Sequence, residues 1–446
     1  MSATLGASPG AARYPQHNVN IRTSTKVWRV LLFVAMPAWS ATPTGEAKFL
    51  AADGATGDQF GYSVALSGDT AVIGARFAGD DANGLESGSA YVFTRSGTTW
   101  RQQAKLTAPD GEARDWFGVR VAISGDTAVI TADADDDDVN GADSGSAYVF
   151  HRSGTTWSLQ AKLTAGDGAP VDLFGYSVAL SGDTVVFGAK FDDDDVNGVD
   201  SGSAYVFTRS GATWSPQAML RAADGAAGDQ FGYSVAISGD TAIITASADD
   251  DDANGIDSGS AYVFTRSGTT WGQQAKLTSS DGAAGDLFGV RVALSGDTAL
   301  IGAHFDDDNG EESGSAYVFV RSGTAWSQQA KLAASDGAAG DWFGYSVALS
   351  GDTALIGAGS VDNSASGVDS GSAYVFTRSG TIWREHAKLT AFDGAAGDQF
   401  GGKVALSADT ALIGARLDDD EMKGVDSGSA YVFTDVLGDD YAGNAN

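Results

Sequence analysis

Phe174-Gly175-Tyr176-Ser177-Val178-Ala179-Leu180-Ser181-Gly182-Asp183-Thr184-Val185-Val186-Phe187-Gly188-Ala189 reads as two β-strands and the turn between them. Small and apolar residues alternate up to Ser181, and an apolar run follows from Thr184 to Ala189. Gly182-Asp183 between them suits a two-residue type II′ hairpin, which wants glycine in first place. An aspartate-rich loop follows, ending at Asp200-Ser201-Gly202. A third strand is expected over Ser203-Ala204-Tyr205-Val206-Phe207-Thr208, and a fourth from Trp214 to Leu220. The rings of Tyr205, Phe207 and Trp214 are read as packing for the outer part of this unit.

The unit recurs. Phe-Gly stands at Phe60, Phe117, Phe174, Phe231, Phe288, Phe343 and Phe400, at intervals of 57, 57, 57, 57, 55 and 57 residues. A period this long, with four strands in each copy, marks a radial array. The expected fold is therefore all-β, a seven-bladed β-propeller with four-stranded blades over residues 47–435. The last unit stops at Tyr431-Val432-Phe433-Thr434 without a fourth strand, while Ala47-Lys48-Phe49-Leu50-Ala51 matches the end of one, Lys48 lying 57 before Lys105. The N-terminal strand is thus expected to complete the seventh blade and close the ring, which removes an open sheet edge.

The pattern Phe-Gly-x-x-Val-Ala, a hairpin, then Val-Ile-Gly-Ala, as at Phe60-Gly61, Val64-Ala65 and Val72-Ile73-Gly74-Ala75, resembles the FG-GAP repeat of integrin α-subunit propellers and their bacterial relatives. The resemblance covers essentially all of residues 47–434. It departs from the family where Gly-Ala-Pro loses its proline, and where Thr131 and Thr245 replace the glycine. It implies an extracellular ligand-binding or adhesion module, whose partner would be a protein or a glycan. The calcium ligands of integrins lie in the first hairpin, which here is only Ser-Gly-Asp-Thr, so they are not carried over.

Composition supports export and narrows the partners. Lys26-Val27-Trp28-Arg29, the apolar run Val30 to Met36, and small residues at Ala38 and Ser40 read as a signal peptide over residues 1–40, with a short linker over 41–46. Residues 436–446 read as a C-terminal tail. The 29 residues ahead of the apolar run are many for such a signal and leave the true translation start open. The run is too short to span a bilayer, and a secreted or surface-held monomer is expected. There is no cysteine, so disulfides and thiolate metal sites are excluded. Net charge is −31. Arg13, Arg22, Lys26 and Arg29 all precede the expected cleavage point, so the mature chain is more acidic still. Such a surface repels nucleic acid and anionic membranes, and attracts cations or basic partners.

Oxygen-bearing side chains alternate in three loops between second and third strands: Asp136, Asp138, Asn140; Asp193, Asp195, Asn197; and Asp250, Asp252, Asn254. A glycine follows each set at the sixth position. That spacing suits calcium, which takes six to eight oxygens. No acid stands at the twelfth position (Ala204 in the second set), so any site would be weak, with Kd roughly 10⁻⁴–10⁻³ M. A solvated acidic loop is the alternative, and both readings stay open at this point. On the innermost strand, Ser63, Ser177, Ser234 and Ser346 alternate with Arg120, Arg291 and Lys403. These cations could hold an anion in the central channel, although pairing with a neighbouring aspartate is the expected arrangement.

No catalytic residue is assigned. The four histidines (His17, His151, His304, His386) occupy unrelated positions, and no Ser-His-Asp set or phosphate-cradling loop stands out. The alternative functions are an exported carbohydrate-active enzyme with its site on the acidic face, or a structural unit of a surface assembly.

Overall fold

The computed structural model describes residues 45–79, 83–137, 139–193, 196–251, 253–363 and 366–437. The expected signal peptide lies outside them, as do Asp138, Asp195 and Asp252. The described residues form seven four-stranded antiparallel sheets and contain no helix. In blade one the strands are Phe60–Ser67, Thr70–Ala75, Ser89–Ser96 and Thr99–Leu106, in that spatial order from the axis outward. The other blades repeat this plan.

The second strand of every blade is buried on both faces. This explains why Thr70–Ala75 and its copies are near-continuous apolar runs rather than alternating ones. Fourth strands border solvent and are mixed in burial, as in Thr99–Leu106. The apolar clusters lie between blades. Val72, Val92 and Leu106 of blade one pack with Phe117, Val121, Ile130 and Tyr148 of blade two.

The Phe-Gly pair joins each blade to the one before it. Phe117 is fully buried and meets Tyr148 edge-on at 5.4 Å. Its backbone N–H donates to the Ser87 carbonyl of blade one, at 2.9 Å. Gly118 has φ +93°, and a Cβ there would collide with the Ser89 carbonyl oxygen. Only glycine allows both the conformation and the approach.

The ring closes as expected. Gly45–Phe49 pairs antiparallel with Ser429–Thr434, in a sheet of order Gly45–Phe49, Ser429–Thr434, Thr410–Ala415, Lys403–Ser407. The strand begins at Gly45, because Thr434 extends the ladder to that residue. Across this seam Phe60 N–H donates to the Ser427 carbonyl at 2.9 Å, the same bond made between consecutive blades.

Inner strands start, in blades two, three, five, six and seven, at Arg120, Ser177, Arg291, Ser346 and Lys403, later than the Phe-Gly pair. The preceding residues turn onto the neighbouring blade instead of extending the ladder. Third strands run on to the end of Arg-Ser, as in Ser203–Ser210, because the arginine is drawn into a contact on the hairpin face. There Arg209 Nε donates to Asp183 Oδ1 of its own blade at 2.7 Å, and Nη1 to Thr127 Oγ1 of the preceding blade at 2.8 Å.

Candidate functional site: the rim and the axial mouth

Antiparallel order places the second-to-third-strand loops and the blade-to-blade loops at one end of the axis. The acid-rich loops form its rim. Their first aspartates accept a backbone N–H seven residues on: Asp136 Oδ1 from Asp143 at 2.8 Å, Asp193 Oδ1 from Asp200 at 2.8 Å, Asp250 Oδ1 from Asp257 at 2.9 Å. The donating residues sit at φ +53°, a turn conformation that aspartate tolerates. Asn140, Asn197 and Asn254 donate Nδ2 to the carbonyls of Ala165, Ala222 and Ser279, tying each loop to the start of the blade-to-blade loop beside it. These side chains therefore hold the loop turns. Among the described residues no three acidic or histidine side chains converge as a metal cluster.

Beneath the rim, lysines on fourth strands bridge two carboxylates. Lys162 Nζ lies 2.9 Å from Asp110 Oδ2 and 3.0 Å from the buried Asp135 Oδ2. Lys276 and Lys48 do the same for Asp224 with Asp249 and for Asp393 with Asp418.

The centre of this end is different in sign. Each blade contributes the residue after Phe-Gly, the next one on the inner strand, and the residue after Gly-Ala. Blades one, three, four and six carry Tyr-Ser in the first two places: Tyr62-Ser63, Tyr176-Ser177, Tyr233-Ser234 and Tyr345-Ser346. Blades two, five and seven carry Val119-Arg120, Val290-Arg291 and Gly402-Lys403. The serines stitch inner strands together. Ser63 Oγ donates to the Gly118 carbonyl at 2.7 Å, and Ser346 Oγ accepts the Val404 N–H at 2.9 Å. Where a cation replaces the serine, the tyrosine beside it is replaced by a smaller residue.

The third place adds Arg76, Lys190 and Arg416. Cations and rings then alternate around the axis. Arg416 lies 5.5 Å from the Tyr62 ring, and Arg76 stacks on that ring at 3.9 Å with Nη1 2.9 Å from the Tyr62 hydroxyl. Arg120 lies 5.2 Å from Tyr176, and Lys190 lies 3.9 Å from Tyr176 and 5.1 Å from Tyr233. Arg291 stands 5.8 Å from both Tyr233 and Tyr345, and Lys403 5.1 Å from Tyr345. The circuit is complete.

The expected pairing of the inner-strand cations with aspartates does not occur. Arg120 and Arg291 donate Nη1 to the carbonyls of Val119 and Val290, at 2.8 and 2.6 Å, and neither they nor Lys403 forms an ion pair among the described residues. Aspartates crowd the rim and the far-side hairpins, where lysines and the Arg-Ser-Gly arginines take them up. Burial holds Lys403 well below the ordinary lysine value, and Arg291, Arg120, Arg416 and Arg76 push it the same way. Burial likewise lowers Lys190 and Arg76.

Two more groups complete the mouth. Asp133, 5% exposed, is the acid among the third-place residues, and its Oδ1 has no hydrogen-bond partner. Burial raises it to about 6 against the pull of Arg120 and Arg76. His304, 6% exposed, packs on Phe305 at 3.9 Å, with its Nδ1 unpartnered. Burial, then Arg291 and Lys403, lower it to about 3, so it is neutral. Sequence reading missed these third-place residues, although the loss of the family proline marked the position.

The FG-GAP repeat family model matches seven times, at residues 43–93, 100–150, 157–207, 214–264, 271–319, 326–376 and 383–433. The chain belongs to the FG-GAP repeat family. Each matched unit begins on the outer strand of one blade and ends on the third strand of the next, so the sequence repeat is one strand out of phase with the blade. That offset places an FG-GAP outer strand at the N-terminus to close blade seven. No curated protein matches the chain. Among the described residues no helix is long and apolar enough to cross a membrane.

Proposed function

We propose that this FG-GAP propeller is a secreted or surface-held binding module, with no catalytic activity, that takes its extracellular ligand at the axial mouth on the acidic end. The observation carrying this reading is where the blades differ. Their strands and outer contacts repeat almost unchanged, while the residues after Phe-Gly and Gly-Ala diverge into a mixed ring of cations, tyrosines, one histidine and one aspartate. Packing alone needs no such divergence, since a packed channel is served by the Tyr-Ser pair that four blades keep. A pocket with a few convergent polar groups among aromatic walls is the usual form of a ligand site. Variation confined to a binding surface on a rigid scaffold is also how loops carry function.

The test is binding of the full chain to arrayed extracellular glycans and matrix proteins, alongside Tyr176→Ala and Tyr233→Ala variants. Ligand retained by the native chain and lost by both variants supports the mouth as the site. Undiminished binding by both overturns it.

Calcium at the three acid-rich loops is the second part of the proposal, supported by the alternate oxygen spacing. The turns are already held by hydrogen bonds, so an ion adds to a formed loop. At several-fold excess over a Kd of about 10⁻³ M, each site would contribute about 1 kcal/mol. A melting temperature a few degrees higher in millimolar calcium than in chelator, lost in Asp136→Ala and Asp193→Ala, is the expected result. No shift removes calcium from the account.

A further inference from the structure

We infer that the axial mouth binds a small tetrahedral oxyanion, phosphate or sulfate, between Arg120, Arg291 and Lys403. This deepens the proposed binding role and rests on the mouth being the binding end.

Charge is the first argument. Arg120, Arg291 and Lys403 line the axial channel and Arg76, Lys190 and Arg416 lie on the tyrosines around them, opposed among the neighbouring groups by Asp133, while His304 is neutral. In a chain of net charge −31 this concentration of cations is local and forms no ion pair among the described residues. Like charges held together without a counter-ion cost stability, more so against low-dielectric walls. Tyrosine faces offset part of that cost through cation–π contact. The Tyr62 hydroxyl, side-chain amides and single backbone carbonyls accept only some of the hydrogen bonds that these guanidinium and ammonium groups can donate.

Size and donor geometry give the ligand class. The channel bounded by Ser63, Arg120, Ser177, Ser234, Arg291 and Lys403 holds about 150 Å³. That is room for one oxyanion with a little water, and is below the roughly 300 Å³ and more of pockets that enclose drug-sized ligands. Two arginines, with donors in a planar fork, and a lysine line the channel from three separated blades. This suits an anion with oxygens directed several ways, rather than a planar carboxylate met by one fork. Asp133 Oδ1, buried and unpartnered, is available to accept a proton carried by the ligand or its water.

The rim decides the source. A polyanionic chain lying across this end would meet the aspartates of the blade loops, such as Asp193, Asp200, Asp250 and Asp257. A free ion, or a single terminal phosphate or sulfate ester, passes between them. The geometry therefore favours an isolated anionic group over a polysulfated polymer.

The test is isothermal titration of the full chain with inorganic phosphate, inorganic sulfate, a monosaccharide monosulfate and a polysulfated oligosaccharide. Ionic strength is held constant with chloride, and thermal melts run in parallel. Saturable binding of either inorganic ion is expected. Arg120→Gln/Arg291→Gln should weaken it at least about tenfold, as loss of charge-assisted hydrogen bonds does. Lys403→Ser, which installs the side chain of four other blades, should weaken it while leaving the fold intact. Binding of the monosulfate with no binding of free ions would assign the site to an ester; the reverse would assign it to the free ion. Either supports the inference. It is overturned if chloride reproduces the stabilisation, if the variants bind as the native chain does, or if the polysulfated chain binds most tightly. Array binding through the mouth with no oxyanion binding would sink this inference and leave the proposed function standing.

Discussion

Phe49, hydrogen-bonded through its strand to the last blade, stacks face to face on Phe93 of the first blade, with ring centroids 4.6 Å apart and planes within 2°. It also meets Trp100 at 5.6 Å. One side chain thus binds both ends of the chain. Lys48 beside it reaches Asp393 at 2.8 Å and Asp418 at 2.7 Å.

Phe49→Ala removes a buried ring from the seam and should cost about 3–5 kcal/mol, as large-to-small aromatic core substitutions do. Denaturant unfolding measures it. A loss below about 1 kcal/mol would mean that the ring does not depend on this closure.

Stability should fall as pH rises between about 4 and 7. Asp115 and Asp172 are raised to about 7, and Asp229, Asp286 and Asp398 to about 6. Burial is the main cause, and a nearby carboxylate such as Asp135 or Asp192 adds to it. A backbone N–H, such as that of Glu112 on Asp115, works the other way. Groups raised in the folded state favour folding when protonated. Their contribution is full below the ordinary aspartate value and is lost as pH climbs through the raised ones. Asp53, Asp110, Asp224, Asp336 and Asp393 are lowered: burial opposes this, but hydrogen bonds and charge from their lysines outweigh it. Their contribution disappears only in stronger acid. Melting temperature should therefore peak near pH 4 and be lower at pH 8. A profile that rises from pH 5 to 8 would contradict this reading of the rim.

Met219→Lys should stabilise the third blade by about 1 kcal/mol. Met219 stands opposite Tyr205, where five blades have a lysine from the same repeat and blade seven has Lys48. Without that lysine, Asp192 keeps a buried Oδ2 with no hydrogen-bond partner. A lysine there would bridge Asp167 and Asp192 as Lys162 bridges Asp110 and Asp135. Unchanged or reduced stability in urea unfolding would show that Arg221, whose charge already acts on Asp192, suffices.

Repetition made the fold legible. The Phe-Gly interval set the blade number, the missing Trp-bearing strand at Thr434 set the closure, and Gly-Asp set the hairpins. The rim was legible only as acidic, because alternate oxygens followed by glycine serve a calcium loop and a hydrogen-bonded turn equally. Asp136 and Asn140 show the second use, through the Asp143 N–H and the Ala165 carbonyl. The inner-strand cations were visible, but most aspartates lie at the rim and the hairpins, and Asp133, the acid beside Arg120, forms no ion pair with it among the described residues. Pairing depends on which end of a blade an aspartate occupies, and the strand pattern alone did not weigh that. One usable signal was present: tyrosine and serine stand together after Phe-Gly, and a cation takes the serine's place only where the tyrosine is gone.

On this proposal, the axial cations are kept at a cost to the fold because a ligand needs them. The most direct test is the melting temperature of full-length Arg120→Ser/Arg291→Ser/Lys403→Ser against the native chain, in chloride buffer free of phosphate and sulfate. The account predicts that the variant melts several degrees higher, relieved of repulsion and with the serine stitches of Ser63 and Ser346 extended around the ring. A variant that melts lower would show that these cations hold the propeller together, and would contradict it.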